Sequence, residues 1–217
     1  VDALARPDAS TLGLIGSGAQ AAGQLRAVSE VRDLTTVEVF SPTTDSRESF
    51  AAEFNDELEA SVSAVSSPDA AVENVDIVIT ATTASRPVFD GTLLSPGTHV
   101  TAIGQYHRSK RELDTTTIRQ SVYVPDLRDR AFQDAGSFLH ALEQGDIDDD
   151  HIHAELGEVV AGTKPGRQSA NEITVFDSGG TGVETVAAAK SVYDAALETE
   201  VGTRISLSPA SEALTGR

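Results

Sequence analysis

The stretch TLGLIGSGAQAAGQL, residues 11–25, constrains the fold more than any other part of the chain. It begins as a short apolar run, breaks at Gly16-Ser17-Gly18, and resumes with small and apolar residues. This order predicts a β-strand, a tight turn and an α-helix, which together open a βαβ unit.

Apolar runs of similar length alternate with helical patterns along the rest of the chain. The sequence predicts further strands within 35–40, 61–64, 76–82, 98–104, 121–126 and 172–180. It predicts helices within 19–31, 46–58 and 183–197, and a helical turn within 67–75. Short apolar runs that alternate with helices indicate strands covered on both faces, so we expect an α/β, doubly wound Rossmann-type sheet with helices on both faces.

The predicted domain organisation has three parts. They are a short leading segment at residues 1–10, one α/β domain at 11–198 and a C-terminal extension at 199–217. The chain begins with Val1 and not Met, from which we expect a longer parent protein.

The charge of the chain limits which kinds of binding partner can be expected. The formal net charge is −18, and only three lysines stand against thirteen arginines. A field of that sign repels nucleic-acid phosphates and anionic lipid, so neither nucleic acid nor a membrane is expected as a partner. The acidic residues are spread along the chain, which is typical of a protein from a high-salt cytoplasm; an ordinary acidic protein is the alternative.

Cysteine usage and hydrophobicity indicate the compartment. The chain has no cysteine, which excludes disulfides and thiolate metal sites. No apolar run approaches the roughly 20 residues that span a bilayer, and no signal peptide is visible. We therefore expect a cytoplasmic protein.

The break at Gly16-Ser17-Gly18 has the spacing of a dinucleotide-binding turn, with Ala21 in the third small position. A side chain at Gly16 would obstruct the turn, and one at Gly18 would separate a pyrophosphate from the helix N-terminus. Glycines end strands for many reasons, but here the motif follows a strand and opens a helix. It therefore predicts nucleotide binding.

The end of the second predicted strand indicates which cofactor binds. An NAD-preferring site usually has an acidic residue there, whereas this chain has Ser41, followed by Thr43 and Thr44. Arg47 is placed to meet a 2′-phosphate. The sequence thus predicts NAD or NADP as cofactor, with NADP slightly preferred. In the alternative, Asp45 reaches the ribose and Arg47 is an ordinary helix residue.

Four motifs, in order, resemble the ornithine cyclodeaminase, mu-crystallin and archaeal alanine dehydrogenase family. They read LIGSGAQA, VDIVITATTASRPVFDG, PGTHVTAIGQYHRSKRELD and VVAGTKPGRQSANEITVFDSGGTGVET. The last is the most specific, because Gly-Arg followed by a strand that ends in Phe-Asp-Ser-Gly is not a general Rossmann feature. The resemblance covers roughly residues 10–196 and implies an NAD(P)-dependent oxidoreductase.

The resemblance also implies site residues. The cofactor contacts that it implies, together with those of the turn and the second strand, are Gly16, Ser17, Gly18, Ala19, Gln20, Ser41, Arg47, Thr82, Ala102, Ile103, Gly104, Lys110 and Ser178, with Gly179 near the substrate. It further implies a homodimer and a preceding substrate domain of about a hundred residues, which this sequence lacks. Residues 1–10 would then be the end of a connecting helix, and 11–198 the Rossmann domain that binds NAD(P). The segment GTRISLS is similar to one that returns to that domain.

One position departs from the family pattern. Tyr106 stands where cyclodeaminases carry a catalytic aspartate, and a phenol is a poor base at neutral pH. Ornithine cyclisation is therefore disfavoured. Alanine dehydrogenase-like hydride transfer at the α-carbon of a small 2-oxo or imino acid and its amino acid fits better. Reduction of a cyclic ketimine and a non-catalytic NADP-binding protein remain alternatives, and the catalytic residue stays open, with Lys110 as a candidate.

Other residues support competing interpretations. His151 and His153 lie beside an acidic run, but a solvated loop is favoured and no metal is expected. Ser178 lacks the G-x-S-x-G elbow of a hydrolase. Asp177 either orients a ring or, more typically, caps the following helix. The basic cluster at 107–111 either meets cofactor or substrate or pairs with surface acid.

Overall fold

A computed structural model describes residues 1–104, 106–203 and 205 of the chain. Within these residues it has the strands β1 Thr11–Ile15, β2 Thr36–Phe40, β3 Ser61–Ala64, β4 Ile77–Thr80, β5 His99–Ala102, β6 Ser121–Pro125 and β7 Ile173–Asp177. All strand pairs are parallel, and the order across the sheet is β3-β2-β1-β4-β5-β7-β6. The predicted α/β fold class is confirmed.

Helices lie between these strands, and one follows the last strand. They are α1 Ala19–Ser29, α2 Thr44–Glu57, α3 Pro68–Val72, α4 Thr115–Arg119, α5 Arg128–Asp134, α6 Gly136–Glu143, α7 Leu156–Val160 and α8 Gly182–Glu198, with short 3-10 turns at Gly91–Leu93 and Asp149–His151. The helices α1, α2 and α8 lie where the sequence predicts them. The sequence does not predict α4 to α7, because their five to eight residues show no clear helical period.

Alternating side chains of the central strands build a core on each face of the sheet. In β4, Ile77 and Ile79 join the cluster that contains Leu25 of α1 and Phe54 of α2. Val78, between them, joins the opposite cluster with Tyr123, which is fully buried. Because both faces are covered, the central strands are apolar at nearly every position, as the sequence shows.

One glycine of β1 sets how closely a helix approaches the sheet. A Cβ added at Gly13 would lie 1.7 Å from the carbonyl oxygen of Ala71 in α3. Glycine is therefore required at this position for packing, and not for a turn.

The chain divides into two compact units, residues 1–179 and 180–217. In the first unit, residues 1–5 form one helical turn, in which the Ala5 N–H donates to the Val1 carbonyl at 2.8 Å. In the second, Thr181 caps α8 in a capping box with Glu184. Of the predicted extension at 199–217, Arg204 and residues 206–217 lie outside the described residues. No helix in the described part of the chain is long and apolar enough to cross a bilayer.

Candidate functional site

The turns that follow β1, β4 and β5 meet at the carboxyl edge of the sheet. A Cβ added at Gly16 would lie 2.4 Å from the Ala81 carbonyl oxygen, and one at Gly104 would lie 2.3 Å from that of Thr82. The strand order reverses between β1 and β4, and open α/β sheets bind ligands in the crevice at such a point. We call this place the carboxyl-edge crevice.

The turn after β1 has the form that an anion requires. Gly16 has a φ of +126°, which favours glycine, and its N–H donates to the Phe40 carbonyl. Gly18 is the N-cap of α1, and a Cβ added there meets no described heavy atom within 4 Å. Ala19 and Gln20 are exposed, and the first turn of α1 carries no acidic residue. Bare N–H groups at this helix end therefore suit a pyrophosphate.

The end of β2 lies beside this turn, as the sequence predicts. The Ser17 hydroxyl donates to the Ser41 hydroxyl at 3.0 Å, and the Ser41 hydroxyl donates to the Thr43 carbonyl. An Arg47 Nη donates to the Ser41 carbonyl at 2.9 Å, and its guanidinium lies 5.8 Å from the centre of the Phe40 ring. Asp45 is exposed in the first turn of α2. The Arg47 cation thus lies beside Ser41, the position at which an NAD site usually carries the carboxylate that holds the ribose.

A buried carboxylate that the sequence did not single out joins the turns after β4 and β5. Glu112 is 2% exposed, and its two oxygens accept N–H groups from Thr82 at 2.8 Å and Gly104 at 2.7 Å. Its carbonyl accepts the Val88 N–H at 2.9 Å. An isolated glutamate in a basic segment gives no sequence signal for such a role.

Two polar side chains meet where β6 and β7 end. The Tyr123 hydroxyl donates to Asp177 at 2.6 Å, and both residues are buried. Burial raises the pKa of Asp177 to about 7, opposed by the Tyr123 hydrogen bond and reinforced by Glu112 and Asp126. The favoured interpretation of Asp177 as a helix cap is wrong, because Thr181 caps α8.

Tyr106 lies over the turn after β7. A Cβ added at Gly179 would lie 2.4 Å from its ring, and Arg130 lies 5.4 Å from the ring centre. Its hydroxyl is buried and has no hydrogen-bond partner among the described residues. Burial raises the pKa of this phenol, and Asp177 and Asp126 raise it further, so it holds its proton at neutral pH.

The other predicted residues occupy neighbouring positions. Ala102 ends β5, Ile103 follows it, and the Ser178 N–H donates to the Ala102 carbonyl at 2.9 Å. The Ser178 hydroxyl donates to Asp126 at 3.3 Å. Thr80, which ends β4, is fully buried, and its hydroxyl has no partner within the described part of the chain. Thr80 and Ser178 thus place hydroxyl groups at the ends of β4 and β7.

The basic cluster at 107–111 lies on an exposed turn. The carbonyls of His107 and Lys110 approach Gly136 at the start of α6, and Arg108 pairs with Glu143 at 3.1 Å. Lys110 is exposed, and the described contacts join its segment to the carboxyl-edge crevice through Glu112, two residues later. For Arg108, the interpretation as a partner of surface acid is confirmed.

The two histidines of the acidic run are held by main-chain carbonyls. His151 Nε2 lies 2.8 Å from the Ile118 oxygen, and His153 Nε2 lies 2.9 Å from the Pro165 oxygen. Their hydrogen bonds join the acidic run to α4 and to the loop that follows α7.

Comparison with known proteins shows relatives over nearly the whole chain. Residues 1–200 match the family model described as the ornithine cyclodeaminase/mu-crystallin family. The chain is 35% identical to a Delta(1)-pyrroline-2-carboxylate reductase of Bacillus cereus over 93% of its own length and 62% of that protein's. It thus spans less than two thirds of such relatives.

Solved structures of similar proteins support the same family assignment. The Thermococcus litoralis Delta(1)-pyrroline-2-carboxylate reductase in complex with NADH and L-proline is 41% identical, with a TM-score of 0.90 over 94% of this chain and 63% of that one. An archaeal alanine dehydrogenase dimer with bound NAD is 34% identical, with a TM-score of 0.87 over 95% of this chain and 63% of that one.

Proposed function

Since this chain belongs to the ornithine cyclodeaminase/mu-crystallin family, we propose that it is the cofactor-binding part of an NAD(P)-dependent oxidoreductase. The observation that carries the proposal is the carboxyl-edge crevice, where a glycine turn and a bare helix end meet at the point of strand reversal. The buried Thr80 hydroxyl at the same edge, which has no hydrogen-bond partner among the described residues, fits a polar ligand.

Each part of the crevice has its own task. Gly16, Ser17 and Gly18, with Ala19 and Gln20, hold the pyrophosphate by main-chain N–H groups. Thr82, after β4, lies beside the adenosine half of the cofactor, and the end of β5, at Ala102 to Gly104, receives the nicotinamide half. Ser178 and Lys110 complete the cofactor contacts, and Gly179 faces the substrate. When bound, the nicotinamide supplies or accepts the hydride, and the protein supplies orientation and electrostatics.

The proposed reaction is hydride transfer at the α-carbon of a small amino or imino acid, as in alanine dehydrogenase. A phenol that keeps its proton donates a hydrogen bond and does not act as a base, so Tyr106 disfavours cyclodeamination. Reduction of a cyclic imine is the second candidate, supported by the likeness to the structure that holds NADH and L-proline. A cofactor binder without turnover is the alternative from another class.

An assay of the intact parent separates these functions. We expect oxidation of NAD(P)H with pyruvate and ammonia, and test Delta(1)-pyrroline-2-carboxylate in parallel. Activity with the cyclic imine alone would select the second candidate. Binding of the dinucleotide without turnover of either substrate would select the non-catalytic protein.

We also propose a slight preference for NADP, on the basis of Arg47. Titration of the chain with NAD and NADP by calorimetry is expected to show tighter binding of NADP, and Arg47→Ala is expected to weaken NADP about tenfold more than NAD. Arg119→Ala, which removes an exposed arginine in α4, serves as the control and should leave the ratio unchanged. NAD binding tenfold tighter than NADP in the unaltered chain would contradict the proposal.

The remaining proposals concern assembly and environment. The intact parent is proposed to be a homodimer with a small amino-acid or imino-acid substrate, as the archaeal alanine dehydrogenase structure supports. The charge of −18 supports a cytoplasm of high salt. Thermal unfolding is then expected to shift upward as KCl rises to molar concentrations, and a Tm that is independent of salt would contradict this environment.

A further inference from the structure

We propose that Glu112 is a positioning residue that also sets the preference of the crevice for the oxidised over the reduced cofactor; this rests on the proposed function. Glu112 is placed by contacts with three segments: its oxygens hold the Thr82 and Gly104 N–H groups, and its carbonyl holds the Val88 N–H. It therefore fixes the turns after β4 and β5 relative to each other.

The space around Glu112 is closed, so these bonds have no alternative geometry. A Cβ added at Gly104 would lie 2.4 Å from a Glu112 oxygen and 2.4 Å from the Thr82 nitrogen. The glutamate is 2% exposed. Water therefore cannot replace the carboxylate in its bonds to the two turns without a change in their backbone.

The hydrogen bonds of Glu112 also indicate the charge of its carboxyl group. Both carboxyl oxygens accept N–H groups, at 2.8 and 2.7 Å, which is the pattern of an ionised carboxylate. In a buried position this charge is poorly screened by solvent ions. Asp126 and Asp177 lie near the same strand ends and add acidic groups.

Oxidation or reduction changes the charge of the cofactor only at its nicotinamide ring. An oxidised nicotinamide ring is cationic and a reduced ring is neutral, while the rest of the dinucleotide is unchanged. With the pyrophosphate at the turn after β1, the nicotinamide half extends toward the end of β5. Glu112 holds the Gly104 N–H just after that strand, so its charge stabilises the oxidised ring selectively. At separations on the order of 10 Å and an effective dielectric constant of about 20, one charge changes such an equilibrium roughly tenfold.

The experiment measures the dissociation constants of the 217-residue chain for oxidised and reduced cofactor by calorimetry. Glu112→Gln keeps the shape but loses the charge and one acceptor. We expect both affinities to fall, and the oxidised form to lose about three- to tenfold more than the reduced form. Circular dichroism and thermal unfolding confirm that the variant is folded.

The chain offers a matched control at the opposite edge of the sheet. Glu172 also accepts two main-chain N–H groups, from Gln168 at 2.7 Å and Ser169 at 3.1 Å, just before β7 begins. Glu172→Gln should leave the ratio of the two dissociation constants unchanged. An equal shift of the ratio in both variants would overturn the proposal, because it would report net charge alone.

A second variant keeps the proposal testable if Glu112→Gln does not fold. Glu112→Asp keeps the charge but is one methylene too short to hold both turns, so both affinities should fall by a similar factor and the ratio should stay within about twofold. A larger change of ratio in Glu112→Asp, or an unchanged ratio in a folded Glu112→Gln, would overturn the proposal. Failure of the unaltered chain to bind either form would instead contradict the proposed function.

Discussion

The two halves of the sheet are built differently. On the side of β1, β2 and β3, strands follow one another in order, and two long helices, α1 and α2, connect them. On the side of β4 to β7, the connecting helices have five to eight residues, and β7 lies between β5 and β6. The first half thus consists of repeated local units, whereas the second depends on contacts between distant segments.

The halves also differ in what they bury. The first half buries mainly apolar side chains around α1 and α2. The second buries His99, Glu112, Tyr123 and Asp177 among its strands and loops. Main-chain geometry therefore determines the chemistry of the first half, and buried polar groups determine that of the second. Four measurements test this contrast between the two halves.

The largest effect is expected at Gly13. Gly13→Ala places a Cβ against the Ala71 carbonyl, so α3 must move away from the sheet, and the free energy of unfolding should fall by about 3 kcal/mol. Urea unfolding measures the change. Gly23→Ala, inside α1 and with no described heavy atom within 4 Å of the added Cβ, is the control and should stabilise by about 0.5–1 kcal/mol. Equal stability of Gly13→Ala and the unaltered chain would contradict a geometric basis for the first half.

The next effect is the pH dependence that Asp177 gives to the second half. Its pKa is about 7 in the folded chain, against 3.8 as the ordinary value, so the folded state holds a proton that the unfolded state releases. Its contribution to stability is therefore present at low pH and declines as the pH rises toward 7. Asp177→Asn should remove this decline, with a gain of about 2 kcal/mol at pH 8 relative to pH 5.

Urea unfolding at pH 5, 6, 7 and 8 tests the effect of Asp177. Asp45→Asn, an exposed position, is the control and should follow the unaltered chain. The same pH dependence in Asp177→Asn and the unaltered chain would show that this carboxyl is not the source.

A smaller effect is expected at Gly18, where a substitution should change cofactor affinity but not stability. The position has an ordinary φ of −95° and open space, so Gly18→Ala should leave the free energy of unfolding within about 0.5 kcal/mol. The added methyl group meets the pyrophosphate, and dinucleotide affinity should fall about tenfold, or 1.4 kcal/mol. Calorimetry checks the affinity. Unchanged affinity would mean that the pyrophosphate does not approach this turn.

The smallest effect is expected from His99 in β5. Its ring is fully buried between the hydroxyls of Thr174 and Thr101, and burial holds its pKa well below the ordinary 6.5. Below pH 6.5 the unfolded chain binds a proton that the folded chain does not, so the free energy of unfolding decreases as the pH is lowered. His99→Gln should reduce this fall by about 1 kcal/mol between pH 6.5 and 5. A steeper fall in the variant would contradict this origin.

The sequence predicted the first half well because its signals are local. The apolar run at 11–15, the glycines at 16 and 18 and the small residues after them define a strand, a turn and a helix within one window. The seven strands were located for the same reason. The four short helices were missed, since each is stabilised by packing and not by its own period.

The polar residues of the second half could not be predicted in the same way. Asp177 precedes a helix, which favours a cap, yet its partner Tyr123 lies 54 positions earlier in the chain. Glu112 holds Thr82, which is 30 positions away, and gave no signal at all. Both contacts exist only because β4, β5, β7 and β6 lie side by side.

Local sequence is sufficient to predict the α/β class, the turn at Gly16-Ser17-Gly18 and the family, because strand length, helix period and glycine spacing are encoded over a few neighbouring residues. The three-dimensional structure is needed to see which acids are buried, which main-chain groups they hold and how the strands are ordered. Burial and hydrogen bonding between distant segments depend on the assembled sheet, and no local pattern records them.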